Sequence, residues 1–165
     1  VLPTNARTPV LPAFVGSGYV SQDGVALTPE YSTTDIIDWS GAVVRRLLES
    51  FNGTITWSHI QWDADSLRNA FGSDNVAVTA KSAAAGEQIA VKIGAHLPDP
   101  KSWVFKMKDG KSLIRIVVPN GQVTSVDEMV FNKQNAIPLP VSLACYPDAA
   151  GESIYIYTDD GVFSA

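Results

Sequence analysis

What most constrains this chain is a two-residue period in its apolar residues, punctuated by Asp-Gly and Asn-Gly pairs. Trp103, Phe105 and Met107 alternate with Val104, Lys106 and Lys108, and Ile89, Val91 and Ile93 alternate with Gln88, Ala90 and Lys92. From Ile137 to Cys145 every second residue is apolar (Ile137, Leu139, Val141, Leu143, Cys145). That period puts one set of side chains on each face of a strand. Asp23-Gly24, Asn52-Gly53, Asp109-Gly110 and Asn120-Gly121 are the pairs that tolerate the positive φ of tight hairpins, so all four are expected to be turns between antiparallel strands. The expected fold is mainly β: an antiparallel sandwich or barrel of about eight strands with one short flanking helix.

Three segments refine this expectation. Asp63 or Asp65 caps a short helix whose Ala64, Leu67 and Phe71 share a face, with Gly72 ending it. Pro138 and Pro140 cannot donate to a ladder, which predicts that their strand begins as an edge or a bulge. Ile114, Ile116 and Val118 oppose Leu113, Arg115 and Val117, so this strand is expected to be central or covered on both faces. Residues 1–18, with Pro3, Pro9, Pro12, Gly16 and Gly18, read as an extended arm outside the core, and residues 19–165 as a single domain. Ser32 to Gly41 reads as a long loop, a brief helix through Trp39 being the alternative.

Chemistry finds little purchase. One cysteine, Cys145, excludes an internal disulfide and a multi-thiolate zinc site. His59 falls in a strand and His96 at a strand end, where structural roles are the default, and no Gly-x-Ser-x-Gly elbow accompanies them. Gly16-Ser17-Gly18 lacks the setting of a phosphate loop. Asp63 and Asp65 fit helix capping better than calcium, and Asp127-Glu128 and Asp159-Asp160 fit turns and surface better than a glycosidase pair. No catalytic residue, cofactor or metal is expected. Tyr19, Tyr31, Trp39, Trp57, Trp62 and Trp103 could make a carbohydrate platform; core or subunit-interface roles are the commoner use of sheet tryptophans. No apolar run approaches the length of a membrane helix, and no signal segment is read at the start, so a soluble protein made in a cytoplasm is expected.

Charge is sparse, at 18% of residues, and the net value is −5. An acidic chain does not bind phosphate backbones non-specifically. The net value hides a pattern: residues 1–72 carry 4 basic and 7 acidic side chains, 73–118 carry 7 and 4, and 119–165 carry 1 and 6. Blocks of opposite sign suit copies docking on one another in a fixed register.

The blocks Gly18-Tyr-Val-Ser-Gln-Asp-Gly-Val-Ala-Leu-Thr-Pro-Glu-Tyr31, Ile36 to Trp39, and Gly53-Thr-Ile-Thr-Trp57 leading into Asp63-Ala-Asp-Ser-Leu-Arg-Asn-Ala-Phe-Gly72 resemble the major tail tube proteins of long-tailed bacteriophages. Arg115-Ile-Val-Val-Pro-Asn-Gly-Gln-Val-Thr124 and the ending Gly-Glu-Ser-Ile-Tyr-Ile-Tyr157 resemble the same family. The resemblance implies a structural virion protein of the tail, assembled in the host bacterial cytoplasm: hexameric rings whose sheets join into an inner barrel, stacked as a conduit for DNA. The partners it implies are further copies, a tape-measure protein, and tail-terminator and distal tail proteins, with DNA passing unbound. A contractile-tail or type VI secretion tube and a carbohydrate-binding module are the alternatives. Within that picture Ile36, Ile37, Trp39, Tyr31, Val10 and Phe14 are candidate subunit or ring contacts. Asp127, Glu128, Asp148, Glu152, Lys106, Lys108 and Lys111 are candidate lumen or inter-subunit charges.

Overall fold

The structure, a computed structural model, describes residues 2–132 and 136–163. Among the described residues eight strands and one α-helix follow in the order β1 (Val20–Ile37), β2 (Val43–His59), α1 (Ala64–Phe71), β3 (Val76–Thr79), β4 (Gln88–Val91), β5 (Lys101–Asp109), β6 (Ser112–Val126), β7 (Leu139–Tyr146) and β8 (Tyr155–Asp159), with a single 3-10 turn at Ser73–Asn75 after α1. Six strands make one antiparallel sheet, β1-β2-β7-β6-β5, with β8 also on β6. The pair β3-β4 forms a second, small sheet. The core lies between them: Ile55, Trp57, Trp103, Val118, Leu139, Val141 and Leu143 meet Leu67 and Ala70 of α1 and Val76 of β3.

The helix forms as its sequence requires. Asp63 accepts from the Ser66 amide at 2.7 Å while the Ser66 hydroxyl takes the Asp63 amide at 3.1 Å, a reciprocal cap. Asp65 lies in the first turn, where its charge favours the dipole, and pairs with Arg68. Gly72 ends the helix at φ 90°, but with ψ 148° the chain leaves extended. Buried are Ser66, Leu67 and Ala70; Ala64 and Phe71 are half-buried.

Of the four expected turns, only Asp109-Gly110 is one, joining β5 to β6. Asp23-Gly24 lies inside β1, where the register slips between Val20 and Val25. Asn52-Gly53 and Asn120-Gly121 lie within β2 and β6. Close approach, not turning, accounts for those last two glycines. A Cβ on Gly53 would come to 2.8 Å from Ile154 Cδ1, and one on Gly121 to 2.9 Å from Trp103 Cδ1.

Strand β7 lies between β2 and β6, but its first residues, Leu139 and Pro140, pair with β2 alone and β6 joins only from Val141, so the strand begins as an edge, as expected. Pro138 precedes the strand, and at Pro140 the carbonyl still accepts the Asp127 amide, so the missing donor falls at the strand's first turn of the ladder. β6 is central as expected. Its first half runs between β5 and β8; β5 stays beside it as far as Gly121, and β7 takes the side of β8 from Asn120 to Val126.

Residues 2–18 do not stand clear of the body. Pro3 and Ala6 are buried, and the Arg115 Nη1 donates to the Asn5 carbonyl at 2.6 Å. Arg115 is thereby 3% exposed in the run Leu113 to Val118, which is otherwise apolar. Arg7 forks onto Asp159 of β8 and sits 4.7 Å from the Phe163 ring centre. The segment straps the second face of β6 and β8, so part of the expected arm is core.

Candidate assembly surface

β1 and β2 pair along their whole length, but β2 has a second neighbour only from Gly53 onward, where Gly53 meets Cys145 of β7. Beyond that point the two strands run on alone as a ribbon. Ser32 to Gly41, expected to be a loop, is instead strand to Ile37 followed by a tight tip. The missed signal is a pair of bulges. Glu49 is skipped between Ser32↔Ser50 and Thr33↔Leu48, and Val44 between Ile36↔Arg45 and Ile37↔Val43. These slips hide the alternation that would have marked a strand.

Polar side chains stiffen the ribbon. Ser32 and Thr34 hydroxyls donate to Glu49. Arg46 holds Asp35 with a two-point fork, Nε at 2.6 Å and Nη2 at 3.0 Å, and this guanidinium keeps the Asp35 carboxyl below the ordinary aspartate range. At the tip one Asp38 oxygen accepts from the Ser40 amide and hydroxyl and the Ala42 amide, which lowers that carboxyl too. Tyr31 and Phe51 rings touch at 5.1 Å, the last aromatic contact before the ribbon leaves the body.

Residues 28–50 are exposed throughout, with Asp35 half-buried. Alternation puts Tyr31, Thr33, Asp35 and Ile37 on one face, opposite Phe51, Leu48, Arg46 and Val43. The other face carries Ser32, Thr34 and Ile36 against Ser50, Leu47 and Arg45. Apolar side chains therefore stand on both faces, and neither meets a core. Trp39 at the tip is 102% exposed. The ribbon thus gathers Tyr31, Ile36, Ile37 and Trp39, and adds four residues that the sequence reading missed: Val43, Val44, Leu47 and Leu48.

Val10 and Phe14 fall elsewhere. With Pro12 and Val15 they form one wall of an open groove of about 790 Å³ whose other walls are Trp57, Trp103 and Phe105 of the sheet and Arg68 and Asn69 of α1. Lys101 and Lys106 line it as well. Lys101 Nζ donates to Asn69 Oδ1 at 2.6 Å and lies 4.6 Å from the Trp103 ring; burial of the amine lowers its pKa.

The charged candidates are spread over opposite ends of the sheet. Asp127 and Glu128 are exposed just past β6, beside Pro140 at the start of β7. Asp148 and Glu152 lie in the turn after the far end of β7, where Asp148 accepts from the Ala150 and Glu152 amides and the Tyr155 hydroxyl. The Tyr155 hydroxyl is the main cause of the lowered Asp148 pKa, and the role is that of a turn. Lys106 and Lys108 share a face of β5, and Lys111 is in the β5–β6 turn; all three are exposed.

Nothing in the described residues assembles a catalytic constellation. No group of three His, Cys, Asp or Glu side chains there could hold a metal. His59, wholly buried, accepts at Nε2 from Trp57 Nε1 at 2.8 Å, which puts the neutral ring's proton on Nδ1, and burial lowers its pKa. His96 bonds Asn75 at 2.8 Å. Asp159 serves Arg7 and Asp160 accepts from the Val162 amide, both structural. Trp57 and Trp103 are buried and Trp62 donates to the Ile137 carbonyl, so of the four tryptophans only Trp39 is bare. No helix among the described residues is long and apolar enough to cross a membrane.

The family model described as phage tail tube protein matches residues 1–164. The chain belongs to the phage tail tube protein family. It is a structural protein of the virion tail. No curated protein matches the sequence.

Proposed function

We propose that this tail tube protein is the repeating subunit of the tube itself: copies close into hexameric rings, and rings stack into a hollow conduit for DNA ejection. The observation that carries the reading is the ribbon 28–50, apolar on both faces and bare on both. A two-stranded ribbon is marginal alone in water, and an exposed patch of this kind marks a protein surface to be covered. Ile36, Ile37, Trp39 and Tyr31 are its anchors, with Val43, Val44, Leu47 and Leu48 beside them. The protein catalyses nothing; its work is assembly.

The acidity fits passage of DNA without capture. At −5 per copy a ring of six would carry about −30, which repels phosphate. Asp127, Glu128 and Glu152 are the exposed acids available to a lumen, and Lys106, Lys108 and Lys111 the bases available to an acidic neighbour. A tape-measure protein inside the tube and tail-terminator and distal tail proteins at its ends complete the proposed partners, with assembly in the host cytoplasm. Negative-stain electron microscopy of the purified protein is the test. Rings or tubes with a central bore support the reading, and a strictly monomeric species at high concentration contradicts it.

A further inference from the structure

The ribbon tip and the groove beside Trp103 belong to opposite ends of one hairpin, and each is rich in aromatic and apolar side chains. The tip offers a fully exposed indole, Trp39, flanked by Ile36 and Ile37; Asp38 stands at its turn, with Arg45 opposite Ile36 and the Arg46–Asp35 pair next along the ribbon. The groove offers aromatic walls from Trp57, Trp103 and Phe105, and its charged lining is Arg68, Lys101 and Lys106 against Asp65. An aromatic plug with one carboxylate at its turn meets an aromatic slot that carries lysines.

The tip cannot fill its own groove. Trp57, in the groove floor, pairs with Val25, whereas the tip begins at Ile37, and the ladder between them is continuous but for its bulges. Twelve residues at ~3.3 Å each separate the two by roughly 40 Å. A stiff paired ribbon does not bend back over that distance without losing its ladder. Plug and slot are different patches of one surface, so their union is head-to-tail and repeats from copy to copy.

We propose that Trp39 of each copy seats in the groove between residues 10–17 and β5 of a second copy, with Asp38 facing Lys101 and Lys106. This contact rests on the tube reading and specifies one of its joints. It gives Val10 and Phe14 the task of closing the slot over a neighbour's indole, and it makes the spacing between joined copies a property of ribbon length.

Site-directed crosslinking tests it. Ser40→Cys puts a thiol beside the plug without removing Trp39, and Ala13→Cys puts one on the groove wall. Native Cys145 stays silent, being buried with its thiol pushed up to about 11. With a short bismaleimide, assembled double variant should give a covalent ladder, a mixture of the two single variants should give dimers only, and unaltered protein should give neither. Trp39→Ala should raise the concentration needed for assembly at least about tenfold while leaving the free chain folded, and Lys106→Glu should weaken assembly less. Tubes that form normally while Ser40→Cys and Ala13→Cys fail to crosslink would overturn the joint and leave the tube standing. Absence of any polymer from the unaltered protein would overturn both. A crosslink from Ser40→Cys to a different tail protein, with Ala13→Cys unreacted between copies, would also overturn it.

Discussion

The two halves of the β1–β2 hairpin share strands, ladder and antiparallel register, yet they live in different environments. The inner half, Val25 to Thr28 against Thr54 to Trp57, rests on β7 and puts Ile55 and Trp57 into the core. The outer half, residues 29–50, has the same backbone bonds and no third strand. Its eight large apolar side chains, Tyr31, Ile36, Ile37, Trp39, Val43, Val44, Leu47 and Leu48, face water. Backbone pairing shapes a ribbon, then, while a second layer decides whether that ribbon is a piece of a domain or a piece of an interface.

Removing the outer half is the harshest way to break this comparison. Replacing Ser32–Ser50 by Asn-Gly would let Tyr31 and Phe51, already paired, close on a two-residue turn. The free chain should keep its melting transition by circular dichroism, while tube formation seen by electron microscopy is lost completely. Next in size, Ile55→Ala should destabilise the free chain by about 2–5 kcal/mol in urea titration, because a wholly buried side chain leaves a cavity. Leu48→Ala on the outer half should change it by less than about 0.5 kcal/mol. Equal effects would erase the distinction. Asp63→Ala, which uncaps the helix packed on the inner half, should cost about 1 kcal/mol by the same titration.

Acid should separate the halves more gently. His59 is buried and neutral with a lowered pKa, so its contribution is present above the ordinary histidine value of about 6.5 and is lost as pH falls below it. Asp35 is lowered by Arg46, so its contribution is present above about 3.9 and is lost only as pH falls through its depressed folded value. The inner half should therefore respond first, in the range just below about 6.5, and the outer salt bridge only below about 4. Urea titration at a series of pH values, on the unaltered chain and on Asp35→Asn, reads both; the reverse order would show that His59 is not held as described.

Most of the body was legible in the sequence because burial there follows the two-residue period. Leu139, Val141, Leu143 and Cys145 are buried, Trp103 and Val118 lie in the core, and Asp63 caps α1. The failures share a cause. Asp and Asn before glycine signal positive φ or tight space, and the sequence does not say which; three of the four pairs sit inside strands. Pro140 is legible by contrast: where β7 begins, only β2 is paired beside it. Ser32 to Gly41 reads as a loop because two bulges break the alternation of the ribbon and because no monomer core sorts its faces. Its anchors Tyr31, Ile36, Ile37 and Trp39 were nonetheless legible as large apolar residues without a home. The strap was not, since the meeting of Arg115 with Asn5 joins residues far apart in the chain.

Hydrogen exchange by mass spectrometry, on the free chain and on the assembled polymer, tests the central claim most directly. Exchange in the free chain should be fast for amides in residues 29–50 and slow for 54–59, and assembly should protect the outer segment while leaving the inner one nearly unchanged. A polymer in which residues 29–50 exchange as quickly as in the free chain would contradict the account, because the ribbon would then not be the surface on which copies meet.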